Sequence, residues 1–135
     1  MSEVDLMDKQ IYVDRLLESE NLTDELQDAD ANWLLDWGIS QLDAILQGVP
    51  DEDEADEKVT AWMRTLRKIN RMLGARDGCS PEEMTNECLA LAESAAQAFG
   101  REPSRDQAQC TAAAAQVVQG PPRQALEFLA HWGLQ

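Results

Sequence analysis

Residues 51–74 read DEDEADEKVTAWMRTLRKINRMLG, and this stretch decides the fold class of the chain. After the acidic run, apolar side chains recur every three or four positions, which is the period of an amphipathic α-helix. The stripe that this period predicts to be buried comprises Val59, Trp62, Met63, Leu66, Ile69 and Leu73. Gly74 follows as the expected stop signal, so we predict one long helix over about residues 52–73.

The six carboxylates of residues 51–57 suit the first turns of this helix, because acids near an N-terminus face the positive end of the helix dipole. Six exceed what the dipole needs, so we expect part of the run to form a solvated turn. A calcium-binding helix–loop–helix requires Gly at the sixth position and Glu at the twelfth, where this chain has Asp56 and Trp62. A looser, weak cation site from Asp51, Asp53 and Asp56 stays open.

Glycine, proline and capping residues mark five further helical segments. We expect them over about residues 5–20, over 24–47 before Gly48, from Ser80 of SPEE to Gly100, from Ser104 as cap to Gly120, and after the prolines at 121 and 122. The best strand candidate, IYV at 11–13, has no partner strand nearby.

These segments predict an all-α fold, an up-and-down helical bundle of four main helices plus one or two shorter helices. At 135 residues and 44% apolar composition the chain is predicted to form a single helical domain over 1–135, with residues 1–5 frayed.

The segment at 24–47 carries apolar residues around well over half of its circumference, including Trp33 and Trp37 one turn apart. Such a helix needs neighbours on several sides, so we expect it at the centre of the bundle. Gly38 lies in its middle, which indicates a close helix crossing or a bend. An aromatic patch left uncovered at Trp33 and Trp37 would form a homodimer seam or a groove for a partner helix.

Charge is distributed unevenly along this chain of net charge −15. Residues 1–57 hold 18 acidic and two basic side chains, whereas residues 58–78 hold one acidic and six basic ones. Four of the basic side chains follow helical spacing on the face opposite the buried stripe: Arg64, Arg67, Lys68 and Arg71. A phosphate, membrane or calmodulin contact is one interpretation. We favour internal compensation, in which the first two segments neutralise this face.

The residues offer no catalytic constellation. The single histidine, His131, has no Cys or His at metal-ligand spacing, and no phosphate-binding glycine motif occurs. We therefore expect no enzyme activity, no metal and no cofactor. Cys88 and Cys110 are expected to pack as small apolar groups, whereas Cys79 could be an accessible thiol of lowered pKa near a helix N-terminus.

The sequence favours a non-enzymatic, helical protein–protein interaction or adaptor module with a strongly acidic surface. Its candidate partner-binding residues are Trp33, Trp37, Arg64, Arg67, Lys68 and Arg71. The partner is expected to be another protein, steered by its basic charge, or a second copy, and neither nucleic acid nor membrane. The alternative is an acidic nucleic-acid mimic or inhibitor occupying a basic groove of a partner. A leader or membrane span is not apparent and cysteines are few and odd in number, so we expect a cytoplasmic protein.

Overall fold

Helices account for the regular structure in the computed structural model, which describes residues 6–19, 21–102 and 106–134. They are α1 (Leu6–Glu18), α2 (Asp28–Ser40), α3 (Leu42–Leu46), α4 (Glu52–Ala75), α5 (Pro81–Ala98), α6 (Gln107–Gln119) and α7 (Pro122–Leu134). These three ranges contain no strand, and the all-α fold class is confirmed. The IYV stretch lies within α1. Residues 1–5, expected to be frayed, fall outside the described ranges.

Four helices, α4 to α7, form the main bundle. Helix α4 packs on α5 and α7, α5 packs on α6 and α7, and α6 packs on α7. Helices α4 and α5 are antiparallel, because Lys68 lies 3.0 Å from Glu87 while Lys58, further back along α4, lies against Gly100 beyond the end of α5. Three additional helices, α1, α2 and α3, rather than the expected one or two, pack together beside α4. The helical bundle is confirmed with this addition.

Helix α4 is the central element. It begins at Glu52, within the acidic run as predicted, and the side chain of Asp51 caps it by accepting the backbone N–H of Glu54 at 2.8 Å. Residues 52–57 are all helical, so the solvated turn expected for part of the run does not extend beyond Asp51. The helix runs through Gly74 and ends one residue later, at Ala75. Ten of its residues are buried: Ala55, Val59, Ala61, Trp62, Thr65, Leu66, Ile69, Asn70, Met72 and Leu73. Helix α2 buries only Leu34 and Gly38 fully, so the prediction that the second segment lies at the centre was wrong.

The second segment is two helices instead of one, and hydrogen bonding at Gly38 explains the break. The Gly38 carbonyl oxygen accepts the backbone N–H of Gln41 at 3.2 Å and the indole Nε1–H of Trp62 at 2.9 Å. An unbroken α-helix would instead offer this carbonyl to the residue four positions on. The chain therefore turns at Gln41, and α3 continues from Leu42. The close helix crossing expected at Gly38 is present, because a Cβ there would lie 2.8 Å from Cδ1 of Leu66. The chain changes course three residues later, at the break between α2 and α3.

Burial confirms the predicted inward face of α4 except at Met63, which is half-buried. Helix α7 buries Ala125, Leu126, Leu129 and Trp132. In α1, Tyr12 and Leu16 are buried, while Leu17 is 56% exposed.

The helix caps follow short-range chemistry. Ser80 caps α5 as predicted, with its hydroxyl accepting the Glu83 N–H at 3.1 Å. Helix α6 is capped by Asp106, in a reciprocal capping box with Gln109, rather than by Ser104, which lies outside the described residues. Gly100 follows α5 with a φ of +68°, a left-handed conformation in which glycine avoids the strain that a side chain would bring.

Candidate functional site

A basic groove lies between α4 and α5. Its volume is about 420 Å³. Its lining residues are Arg64, Arg67, Lys68 and Arg71 from α4 and Ala90, Glu93, Ser94 and Gln97 from α5. Each set follows helical spacing of three or four residues, so each is one continuous face of its helix. The two faces meet to form what we call the basic groove.

The shape of the basic groove follows from the side chains on its two walls. On the α4 wall stand three arginines and a lysine, whose long stems can lie along the helix surface while their charged ends reach solvent. The α5 wall includes Ala90 and Ser94, which have short side chains. Small residues opposite long ones leave a depression between the two helices.

The arginines of the basic groove are not neutralised by neighbouring carboxylates. Lys68 forms an ion pair with Glu87 at 3.0 Å. Arg64, Arg67 and Arg71 form no ion pair within 4.0 Å with any residue in the described ranges. Three guanidinium groups therefore remain available on one helix face of a protein with net charge −15.

Arg67 is the most unusual of the three. Its Nε atom is buried and has no hydrogen-bond partner among the described residues. A buried donor without an acceptor costs about 1–3 kcal/mol, because the bond that it made to water is lost and not replaced. Because Arg67 also lines the basic groove, this donor is a candidate contact for an acceptor from outside the chain.

Several cations elsewhere among the described residues have partners from the chain itself. Lys9 pairs with Asp43 at 2.6 Å. Arg15 pairs with Asp56 at 3.2 Å. The guanidinium of Arg76 donates to the carbonyl oxygens of Val117 and Gly120, and so ties the end of α4 to the α6–α7 turn. The groove arginines differ from these cations, because they form no ion pair with any described residue.

This arrangement corrects the predicted internal compensation. The sequence grouped Arg64, Arg67, Lys68 and Arg71 correctly, and the structure brings them together. Among the described acids of the first two segments, which were expected to neutralise these cations, none forms an ion pair with them. Asp30 pairs with Arg123 at 2.7 Å and Asp43 with Lys9 at 2.6 Å instead. Helix α5 faces the four cations instead and supplies one ion pair, Lys68–Glu87. The compensation by segments one and two was therefore wrong for this face.

Sequence reasoning missed the α5 wall of the basic groove. A signal was present, because residues 90, 93, 94 and 97 repeat the spacing of the α4 cations. A short side chain at Ala90 or Ser94 beside polar Glu93 and Gln97 is typical of a helix face that is neither core nor fully solvated. Only the pairing of α4 with α5 shows that the two faces meet.

Trp33 and Trp37, the other predicted binding residues, lie in an aromatic row. Their rings stack with centroids 6.0 Å apart and planes 6° apart. The ring centroid of Trp37 lies 5.2 Å from that of buried Trp62. The Trp62 ring packs edge-on against Phe99, with centroids 5.6 Å apart. Arg123 lies over Trp33 at 5.9 Å. Both tryptophans are half-buried, so packing accounts for much of their surface, and partner binding by them stays a prediction.

A smaller depression of about 270 Å³ adjoins the basic groove at Arg71 and contains Cys79. Partial burial raises the pKa of the Cys79 thiol, and the Glu83 and Glu87 carboxylates raise it further. The expected lowering of this pKa was therefore wrong, since burial and then the nearby acids raise it. Cys79 is poorly suited to be a nucleophile at neutral pH.

The remaining candidates for chemistry are structural or solvated. Cys88 and Cys110 are buried as predicted, and burial raises the pKa of Cys88 to about 12. His131 is exposed on α7. Asp56 of the acidic run is held by Arg15, and the described residues contain no group of three or more His, Cys, Asp or Glu placed to hold a metal ion. Among the described helices, none has the length and apolar character needed to cross a membrane.

The basic groove thus brings together three arginines that form no ion pair with any described residue. Comparison of the chain with models of known protein families, with curated proteins and with solved structures found no match.

Proposed function

We propose that this protein is a non-enzymatic helical interaction module that binds an acidic segment of another protein in the basic groove. The observation that carries the proposal is the set of three arginines, Arg64, Arg67 and Arg71, which lack carboxylate partners among the described residues. A ligand that brings oxyanions to these side chains would gain charge-assisted hydrogen bonds. The proposal places the protein in the cytoplasm, where its thiols would stay reduced.

The net charge of −15 shapes the choice of partner. Exposed charges further apart than about 8 Å are largely screened at physiological ionic strength, so a short ligand seated in the groove responds mainly to the nearby arginines. A large uniformly acidic partner would instead be repelled by the acidic first half of the chain. A short acidic segment on a partner whose remaining surface carries both signs of charge would be attracted by the arginines without strong repulsion from the acidic half of the chain.

The groove favours an acidic ligand over the basic partner that the overall charge suggests. A basic protein could approach the acidic surface of residues 1–57, but the depression there, of about 500 Å³, places only Asp14 and Glu18 beside Arg15 and apolar side chains. A general surface attraction of that kind speeds association more than it selects a partner. The groove supplies the shape on which selection depends.

The test is a titration of a fluorescein-labelled ten-residue polyglutamate peptide, followed by fluorescence anisotropy at physiological salt. We expect saturable binding to the unaltered protein. The triple variant Arg64→Gln, Arg67→Gln, Arg71→Gln should bind at least ~10-fold more weakly, since each charged hydrogen bond contributes about 1.5–3 kcal/mol. The matched control is Lys9→Gln, Arg15→Gln, Lys58→Gln, which removes the same charge outside the groove and should bind like the unaltered protein. Equal weakening of both triple variants, or absence of binding to the unaltered protein, would overturn the proposal.

A further inference from the structure

We infer that the group held in the basic groove is a phosphoryl group on a side chain of the partner's acidic segment, with Arg67 as its central contact. This inference rests on the proposed function and names the ligand chemistry of the same site. It begins from the local charge. The four cations of the groove face Glu93 within the groove, and Glu87 is already paired with Lys68.

Local charge balance favours a dianion. Once the Lys68–Glu87 pair is set aside, three guanidinium charges and the Glu93 carboxylate remain, which leaves an excess of two positive charges. A phosphorylated serine or threonine carries a charge of about −1.5 to −2 at pH 7, whereas one carboxylate carries −1. A single phosphoryl group therefore neutralises the groove, and a single carboxylate leaves half of the excess.

The spacing of the arginines favours a tetrahedral group over a planar one. Arg64 and Arg71 lie three and four residues from Arg67, one helical turn to either side, with about 5–6 Å between successive Cβ atoms. One guanidinium fork can engage both oxygens of a carboxylate, which leaves fewer lone pairs for the neighbouring arginines. A phosphoryl group presents three acceptor oxygens, so it can engage more than one fork at once.

The buried Nε of Arg67 gives the site its centre. This N–H is buried and has no acceptor among the described residues. Arg64 and Arg71 differ, because both residues are exposed and their guanidinium groups can bond to water. An oxyanion bound side-on to the guanidinium would accept from Nε and from one terminal nitrogen together. A lysine at residue 67 would keep the positive charge but lose the paired N–H donors of the guanidinium. The Arg67→Lys variant therefore shows whether binding depends on donor geometry or on charge alone.

The rest of the molecule disfavours long polyanions as ligands. A duplex nucleic acid carries about one negative charge per 1.7 Å of its length, and an extended stretch would bring phosphates against the 18 acids of residues 1–57. One phosphoryl group on a short segment reaches the groove without that contact. The chemistry is shared with small phosphate monoesters, so the test must distinguish the two sources.

The experiment compares three labelled nine-residue peptides of Gly and Glu that differ at the central residue, which is serine, glutamate or phosphoserine. At pH 7.5 we expect the phosphoserine peptide to bind at least ~10-fold more tightly than the glutamate peptide. Arg67→Lys should remove this preference while the glutamate peptide still binds. Arg123→Lys, which changes an arginine outside the groove, should preserve it.

Each other outcome decides between the two proposals. Equal affinity for the phosphoserine and glutamate peptides, or a preference that survives Arg67→Lys, would overturn the phosphoryl inference and leave the acidic-segment proposal standing. No binding of any peptide would overturn both. If free phosphoserine displaced the peptide at concentrations equal to those of the unlabelled phosphopeptide, the ligand would be a small phosphate ester, which contradicts the partner-protein proposal.

Discussion

The indole Nε1–H of Trp62 donates to the carbonyl oxygen of Gly38 at 2.9 Å, inside the core and across 24 positions of sequence. The same contact joins the central helix to α2 and draws the Gly38 carbonyl away from regular helical bonding. Leu66, one turn along α4, packs against the face of Gly38 that has no side chain. The absence of a Cβ at residue 38 thus sets how closely α2 and α4 approach.

Replacing Gly38 with alanine should destabilise the protein. A Cβ at this position would lie 2.8 Å from Cδ1 of Leu66, which is fully buried and has little room to move. Overpacking of this kind costs about 1–3 kcal/mol, against a gain of about 1 kcal/mol from replacing a helical glycine. We expect a net loss of about 1 kcal/mol in the free energy of unfolding, measured by urea denaturation.

The control for Gly38→Ala is Gly78→Ala, the same change in the turn after α4. A Cβ at residue 78 would lie 3.9 Å from the Ala75 carbonyl oxygen, an ordinary van der Waals contact. This variant should be stabilised by up to ~1 kcal/mol, because alanine restricts the unfolded chain more than glycine does. Stabilisation of both variants would show that the α2–α4 crossing is looser than described.

Replacing Arg67 with methionine should stabilise the unliganded protein while it abolishes anion binding. Methionine keeps much of the length of the arginine stem and removes the unsatisfied Nε. Relief of that donor should raise the free energy of unfolding by about 1 kcal/mol, seen as a higher Tm. Lys68→Met, which breaks the half-exposed pair with Glu87, should change stability by less than ~1 kcal/mol. A fall in Tm for Arg67→Met would show that its guanidinium supports the fold.

The cysteines should react slowly with iodoacetamide at pH 8, and in a defined order. The pKa of Cys79 is raised by partial burial and by nearby acids, so this thiol should be alkylated more slowly than free cysteine. Cys88, with a pKa of about 12, and buried Cys110 should react only on unfolding. Mass spectrometry after timed labelling checks the order, and modification of Cys88 before Cys79 in the native protein would contradict it.

The raised pKa of Cys88 also predicts how stability depends on pH. The unfolded chain loses this proton near the ordinary thiol value of about 9, whereas the folded chain holds it to about 12. Above about pH 9 the unfolded state therefore binds fewer protons, and the free energy of unfolding should fall as pH rises. Cys88→Ala should show a shallower fall between pH 9 and pH 11, although its stability is lower throughout. An identical slope in the two proteins would contradict the assignment.

Local chemistry made the helices predictable, whereas contacts between distant residues did not appear in the sequence pattern. Asp51 and Ser80 act within three residues of the positions they cap, so their roles follow from spacing alone. The break at Gln41 depends on an indole from another helix, and no periodicity near residue 41 announces it. Segment two was placed at the centre because its apolar arc is wide, but α4 holds that place.

The candidate site divides in the same way. Helical spacing was enough to group Arg64 with Arg71 on one face of α4. The helix that faces them is α5, with its short Ala90 and Ser94 side chains. The sequence pattern did not predict this, because the pairing of helices depends on how the bundle packs. Acids near in sequence were taken as the counter-charges because proximity along the chain was the available guide.

The most direct test of the basic groove as the binding site is nuclear magnetic resonance of the arginine Nε–Hε and tryptophan indole N–H signals. The probe is the phosphoserine peptide described above, titrated into ¹⁵N-labelled protein, with signals assigned from single variants. The account predicts that the Arg67 signal shifts most, followed by Arg64 and Arg71, while the Trp33 and Trp37 indole signals stay in place. Shifts confined to the two indoles, with the groove arginines unmoved, would contradict it.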